Sequence, residues 1–305
     1  MIESGTQEQT FPKIRIPDNI SVAVVIPSFN EVKSIAGQID KVKSALDVTE
    51  WIYDIIVVDD GSTDGTASAA ERCDVQVVRL PKNRGYGAAL KAGISVANAS
   101  HIVIIDADGT YPADAIPEML RLAEQYDMVV GARLGNNVHM PVARRPAKWF
   151  LGKLASYLAG QKIPDLNSGL RVMKKSIVEQ FYNILPSGFS FTTTITLAHL
   201  CNDYLVYYHP IEYYSRIGRS KIRPVHAYHF LLLILRAIVY FNPLKVFLPL
   251  GGVLFATGLA KFIYDLFIGN LSESAIMGLL GALIVWAIGL LSDQIAKIGI
   301  GMRSN

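Results

Sequence analysis

The sequence predicts an α/β protein: a mostly parallel sheet with helices on both faces, followed by a surface helix and a membrane-spanning helical hairpin. Three observations predict it. Short β-branched runs alternate with helical segments from Ser21 to about Arg133, at the spacing of βαβ units. Charged residues make up only 18% of the 305 residues, against a usual share of about 25%. The shortfall is concentrated near the C-terminus, where two long runs are almost wholly apolar.

The first twenty residues are polar, with Glu3, Glu8, Lys13, Arg15 and Asp18 and no apolar core of a signal peptide. They read as a loose tail, residues 1–20. Val22–Ile26 then forms an apolar strand stopped by Pro27, and Glu31–Leu46 carries helical patterning. Tyr53–Val58 is a second strand, Thr66–Arg72 a short helix, and Val75–Leu80 a third strand. Gly87–Val96 is small and helical; His101–Ile105 is a buried strand, and Tyr126–Val130 a fifth. Between Arg144 and Ser220 the pattern is less regular: a helix near Trp149–Leu158, the loop "KIPDLNSGLR", a helix over Phe191–Leu200 and a strand over Tyr204–His209. The α/β domain is expected to span residues 21–223.

Residues 224–243 read as an amphipathic helix lying at a membrane surface, since Tyr228–Phe241 is apolar but too short to span and Asn242-Pro243 breaks it. Residues 244–305 read as a hairpin. Val246–Ile268 is long enough to cross about 30 Å of hydrocarbon, with Lys261 and Asp265 placed to snorkel or pair, and Ser274–Leu291 returns across it, with Asp293 and Lys297 beyond. Basic residues flank the hairpin but are missing from its turn, which predicts that the α/β domain and both termini lie in the cytoplasm. The competing reading is two buried helices of a soluble domain. Gly278 and Gly281 offer a small-residue face through which the hairpin could pair with copies of itself.

A net charge of +3 and a pI near 8.7 are too mild for a nucleic-acid binder, and no basic-aromatic motif is present. Cys73 and Cys201 stand far apart and read as reduced thiols.

Acids, glycines and an arginine recur where strands end, the edge at which open α/β sheets bind ligands. Strand one ends in "IPSFNE", where Asn30 or Ser28 could cap the next helix. Strand two ends in "VVDDGSTDGT"; Asp59 or Asp60 could accept from a base or a ribose hydroxyl, and Asp64 or Thr63 could cap a helix. Strand three leads to "NRGYGAALKAGI", where Arg84 could meet a phosphate and Gly85 and Gly87 allow close backbone approach. Strand four ends in "DADGTYP". The hard oxygens of Asp106 and Asp108 suit Mg²⁺ or Mn²⁺ shared with substrate phosphates; an ordinary Asp-Gly turn is the plainer alternative.

"VVIPSFNE", "VVDDGSTDGT", "NRGYGAALKAGI" and "DADGTYP", in that order, resemble the family 2 glycosyltransferases of the GT-A fold, a Rossmann-like sheet. The resemblance covers roughly Ser21 to Arg223. It implies that Pro27, Phe29, Asn30, Glu31, Asp59, Asp60, Arg84 and Asp106 line a nucleotide-sugar, and that Asp106 and Asp108 hold its metal. "GAR", Arg144-Arg145, "DLNSGLRVMKK" and "RIGRSKI" are similar to polyprenyl-phosphate glycosyltransferases, the dolichol-phosphate mannose synthase group. That similarity implies inverting transfer of one sugar, from UDP-glucose, UDP-GlcNAc or GDP-mannose, to a polyprenyl or dolichyl phosphate at the cytoplasmic face of the bilayer. Arg219 or Lys221 would close over the diphosphate, or meet the membrane surface. Arg133 with Arg144 or Arg145 would grip the acceptor phosphate. Asp165 would orient an arginine, act as a base, or cap the turn before Asn167.

Thr110 stands where members often carry a glutamine, which puts a third protein contribution to the metal in doubt. No Gln-x-x-Arg-Trp of processive synthases occurs; Lys148-Trp149 is the nearest approach. The remaining alternatives are a related transferase with another glycan or lipid acceptor, and a non-catalytic nucleotide-sugar scaffold.

Overall fold

The computed structural model describes residues 21–134, 152–153, 156–157, 160–188, 190–214 and 242–301. The expected tail, the surface helix as far as residue 241, and Arg144, Arg145, Arg219 and Lys221 lie outside the described residues.

Strands β1 (Ser21–Ser28), β2 (Ile52–Asp59), β3 (Gln76–Arg79) and β4 (His101–Ile104) alternate with helices α1 (Ile35–Leu46), α2 (Thr66–Glu71) and α3 (Tyr86–Val96). The four strands pair in parallel, Val24 lying beside Ile55 on one side and Val103 on the other. A 3-10 turn (Ala113–Ala115) and α4 (Ile116–Leu122) lead to β5 (Met128–Arg133). Beyond it come β6 (Arg171–Lys174), α5 (Lys175–Phe181), α6 (Phe191–Cys201) and β7 (Val206–Ile211). Together they complete a 7-stranded sheet in the order β3-β2-β1-β4-β6-β5-β7.

The two-residue period of the strands builds two cores. Val22, Val24 and Ile26 face α1, α2 and α4, where Ile35, Ile39, Ala70 and Met119 cover them. Ala23 and Val25 face α3, α5 and α6, under Leu90, Ile94, Phe181 and Phe191. Each large apolar side chain buried this way contributes roughly 1.5–3 kcal/mol.

Two expectations need correction. Helix α1 starts at Ile35, not Glu31, and neither Ser28 nor Asn30 caps it. Asn30 adopts a left-handed backbone, φ 52°, and its side chain serves another loop. The second is β6, a strand that the sequence does not predict: the expected loop ends at Arg171, its first residue, and residues 172–174 carry no expected element. It runs antiparallel to both neighbours, Val172 pairing with Val103 and Val129. Because it is reversed, its beginning lies where the other strands end. The loop before it is therefore delivered to the same edge as Asp106.

The C-terminal helices α7 (Leu244–Ile268) and α8 (Glu273–Gly301) form the expected hairpin. Both are long and apolar enough to cross a membrane, and Phe267, Met277, Leu283 and Leu291 are exposed along them. Helix α8 runs past Leu291 and takes in Asp293 and Lys297, which pair at 2.8 Å. At the turn Asp265 accepts from Lys261 and, at 2.9 Å, from the Ser272 amide. Gly258 and Gly278 back directly on each other. Gly278 is thus turned into its own hairpin, and only Gly281 of the expected self-association face meets open space.

Candidate active site

The loops after β1 and β2 are laced together. The Asn30 amide donates to Ser62 Oγ and the Thr63 amide to Asn30 Oδ1, both at 2.9 Å; the Glu31 amide donates to Thr66 Oγ1 at 2.9 Å. Asp64 accepts from the Val32 and Thr66 amides. Burial opposes its charge, but these bonds and the Thr66 hydroxyl outweigh it and hold the carboxyl below its usual range. Pro27 is buried at the end of β1, and Phe29 and Glu31 are half-buried just beyond.

Asp59 and Asp60 divide their roles. Both are buried. Asp59 takes only a long contact from the Ser62 amide, 3.3 Å to either oxygen. Asp60 accepts the Arg84 amide at 2.7 Å and the Gly85 amide at 2.8 Å. Asp60, expected beside the nucleotide, holds the loop that presents the exposed Arg84 side chain. The close approach expected at Gly87 is made by this chain's own backbone: a Cβ there would lie 2.2 Å from the Pro186 carbonyl oxygen.

Asp106 and Asp108 follow β4, Asp106 half-buried and Asp108 buried. Each receives a hydroxyl. Tyr86 Oη donates to Asp106 Oδ1 at 2.8 Å, and Thr110 Oγ1 to Asp108 Oδ1 at 2.6 Å. Burial and the Asp106 charge push the Tyr86 phenol well above its ordinary value, so it stays a donor. Gly169, from the loop before β6, presses on Asp106: a Cβ would sit 2.3 Å from Oδ2. The Gly169 amide donates to Tyr111 Oη at 2.7 Å.

At the end of β5, Arg133 faces Asp165. Its Nε and Nη2 reach the two carboxylate oxygens at 2.7 and 2.8 Å, and its amide adds a third bond at 3.1 Å. The guanidinium lies over the rings of Tyr213 and Tyr111, 5.2 and 5.9 Å from their centroids. Burial opposes both charges, yet the paired hydrogen bonds outweigh it: Arg133 is held above its usual value and Asp165 below. Asp165 also accepts from the Asn167 amide at 3.2 Å, so the orienting and turn-capping roles coexist.

Sequence reasoning missed Tyr86, Tyr111, Gly169, Arg171 and Tyr213. Arg171 is fully buried and donates to the Ser168 and Leu166 carbonyls at 2.9 and 3.0 Å and to Thr196 Oγ1 at 2.6 Å. It pins to α6 the loop that carries Asp165 and Gly169. An arginine directly before the apolar pair Val172-Met173 was the available signal.

Among the described residues no group of three or more His, Cys, Asp or Glu forms a cage for a metal. Two adjacent carboxylates with hard oxygens fit a cation that keeps waters and takes phosphate oxygens, as Mg²⁺ and Mn²⁺ do.

A sheet of one direction with a single reversed strand, and acids gathered at its carboxyl edge, makes this a GT-A-type fold carrying an apolar C-terminal hairpin. The profile of Glycosyl transferase family 2 matches residues 23–181, just over half of the chain, and that of the GtrB C-terminal hairpin matches residues 242–298. The chain belongs to glycosyl transferase family 2. It is similar to the undecaprenyl-phosphate 4-deoxy-4-formamido-L-arabinose transferase of Yersinia pestis (strain Pestoides F), 31% identical over 195 residues, 58% of this chain and 59% of that protein. The protein of that name from Photorhabdus laumondii subsp. laumondii is 32% identical over 164 residues, 52% of this chain and 50% of its own. The matches thus span less than two thirds of these relatives. Glucosyl-3-phosphoglycerate synthase from Mycobacterium tuberculosis, solved with Mn²⁺, UDP and glucosyl-3-phosphoglycerate, shares the fold. Its TM-score is 0.56 at 21% identity, over 72% of this chain and 80% of that one.

Proposed function

We propose that the protein transfers one sugar from a nucleotide-sugar to the phosphate of a polyprenyl or dolichyl phosphate, at the cytoplasmic face of a membrane crossed by its hairpin. One observation carries this reading: a single loop, residues 165–169, joins the Asp106 carboxylate to the Arg133–Asp165 pair. Donor and acceptor groups can then meet at one sheet edge, in a chain that ends in two apolar helices. The names of the curated relatives, undecaprenyl-phosphate sugar transferases, support the acceptor class.

Asp106 and Asp108 would hold Mg²⁺ or Mn²⁺, which when bound supplies Lewis acidity to the leaving diphosphate. The exposed Arg84, whose loop is held by Asp60, would meet a donor phosphate, and Asp59 would meet the nucleoside. A lipid monophosphate is largely dianionic at neutral pH, its second pKa lying near 6, so it requires placement more than deprotonation. Asp165, held below its usual range by Arg133, is a poor base and acts by aiming Arg133 at the acceptor; Arg144 and Arg145 join it. Arg219 and Lys221 would neutralise the departing diphosphate. Direct displacement inverts the anomeric carbon. A UDP-sugar is our proposed donor.

The test uses purified protein in detergent with Mg²⁺, a polyprenyl phosphate and a panel of labelled nucleotide-sugars. Label should enter the organic phase from one donor and fail to do so with EDTA. Nucleotide binding without organic-phase label from any donor sinks the acceptor assignment.

A further inference from the structure

Tyr86 opens α3 where the chain turns back over the sheet, and it reaches Asp106 from twenty residues upstream. Its hydroxyl occupies one side of the carboxylate and the Cα of Gly169 the other, where a Cβ would lie 2.3 Å from Oδ2 and 2.7 Å from Oδ1. The phenol is itself fixed. Gly87 is pressed against the Pro186–Gly188 turn, and the Ala88 amide donates to the Ser187 carbonyl at 2.9 Å. A start of α3 anchored this way cannot follow a swinging carboxylate; it dictates where that carboxylate points. Asp108 has its own local donor in Thr110, two residues on. Asp106 receives a hydroxyl from a different element, Tyr86 of α3.

We propose that Tyr86 is a positioning residue for the cation site: its hydroxyl fixes the rotamer of Asp106, so that both carboxylates present oxygens to one divalent cation before the nucleotide arrives. This rests on the reading of Asp106 and Asp108 as cation-holding residues under the proposed function. Hydrogen-bond partners behind a metal ligand orient it, and losing one typically weakens metal affinity roughly 10–100-fold. A tyrosine that merely completed the fold would change thermal stability and leave affinity alone.

The experiment titrates Mn²⁺ into the full chain in detergent and reads free Mn²⁺ from its electron paramagnetic resonance signal, with no sugar donor or acceptor present. Tyr86→Phe, which keeps the ring, should raise the Mn²⁺ Kd by about tenfold or more, while the melting temperature in EDTA stays near that of wild type. Unchanged affinity in folded Tyr86→Phe overturns the proposal. Should that variant fail to fold, 3-fluorotyrosine incorporated at position 86 takes its place. Its ¹⁹F resonance should move on Mg²⁺ titration and saturate with the cation; a stationary resonance with Mg²⁺ bound overturns the proposal equally. Wild type that binds Mn²⁺ but glycosylates no lipid refutes the acceptor reading and leaves Tyr86 standing. Wild type that binds no Mn²⁺ removes both.

Discussion

Arg133 and Asp165, thirty-two residues apart in the chain, close a bidentate ion pair at 2.7 and 2.8 Å whose side chains are only 17% and 6% exposed. A pair this buried is costly to break from one side. Removing one member strands the other charge, a loss of about 3–5 kcal/mol.

Arg133→Ala and Asp165→Ala should therefore each lower stability by several kcal/mol, read as a shift of the thermal or denaturant midpoint. Arg133→Met with Asp165→Asn, which keeps a side-chain oxygen for the Arg133 and Asn167 amides, should recover most of that loss. If the pair also aims the acceptor phosphate, the double variant will be stable and inactive, with its largest defect in lipid-phosphate dependence. Full activity in the stable double variant would remove the pair from catalysis.

Asp108→Ala should reduce transfer by about 10³-fold or more, as expected when electrostatic stabilisation of a leaving group is lost. EDTA should do the same to wild type, and excess Mg²⁺ or Mn²⁺ should restore wild type but not the variant. Carbonate-resistant membrane association should be unchanged in both. Wild-type turnover by Asp108→Ala excludes it as a metal ligand.

Gly169→Ala places a methyl 2.3 Å from Asp106 Oδ2. The carboxylate is the movable partner, because Gly169 is tied to Tyr111 through its amide. The variant should remain folded and lose at least about tenfold in cation affinity, measured by Mn²⁺ titration. Native affinity would show that Asp106 can yield without consequence.

His199 supplies a pH dependence. Nδ1 donates to the Ile195 carbonyl at 2.8 Å, while Nε2 is buried with no hydrogen-bond partner among the described residues. Burial is the largest cause; the Ile195 carbonyl opposes it, the Arg171 charge adds to it and Asp127 opposes least, leaving the pKa lowered to about 4. Below pH about 6.5 the unfolded chain binds a proton that the folded chain refuses. Stability should thus fall as pH drops from about 6.5 to about 4, by roughly 3 kcal/mol from this residue. His101, lowered by burial and Lys174, acts in the same direction. His199→Leu should flatten the slope of melting temperature against pH across that window; an unaltered slope contradicts the assignment.

Much of the candidate site was legible in the strand ends. Asp59, Asp106 and Asp108 stand out because a carboxylate at the end of a β-branched run has left the core at a ligand-binding edge, and Arg84 because it follows the third strand in a glycine-containing loop. The first four strands were placed to within a residue or two, since two-sided burial writes a continuous apolar run. Asp60 and Asn30 show the limit of the method. Their types suit ligand contact, yet both are committed to backbone amides, and sequence cannot tell an acceptor pointed at a substrate from one pointed at a neighbouring loop.

The sequence by itself determined the alternating sheet, the acid pair after the fourth strand and the apolar hairpin, because each is a local pattern of side-chain type and period. Tertiary structure alone decided three things: the reversal of β6, the delivery of Gly169 and Asp165 to the edge that holds Asp106, and the bond from Tyr86. Arg171–Lys174 is four residues bounded by basic side chains, too short to write a period or a direction. Its orientation is set by pairing with β4 and β5 and by Arg171 binding the carbonyls before it. Such long-range hydrogen bonds exist only once the chain is packed.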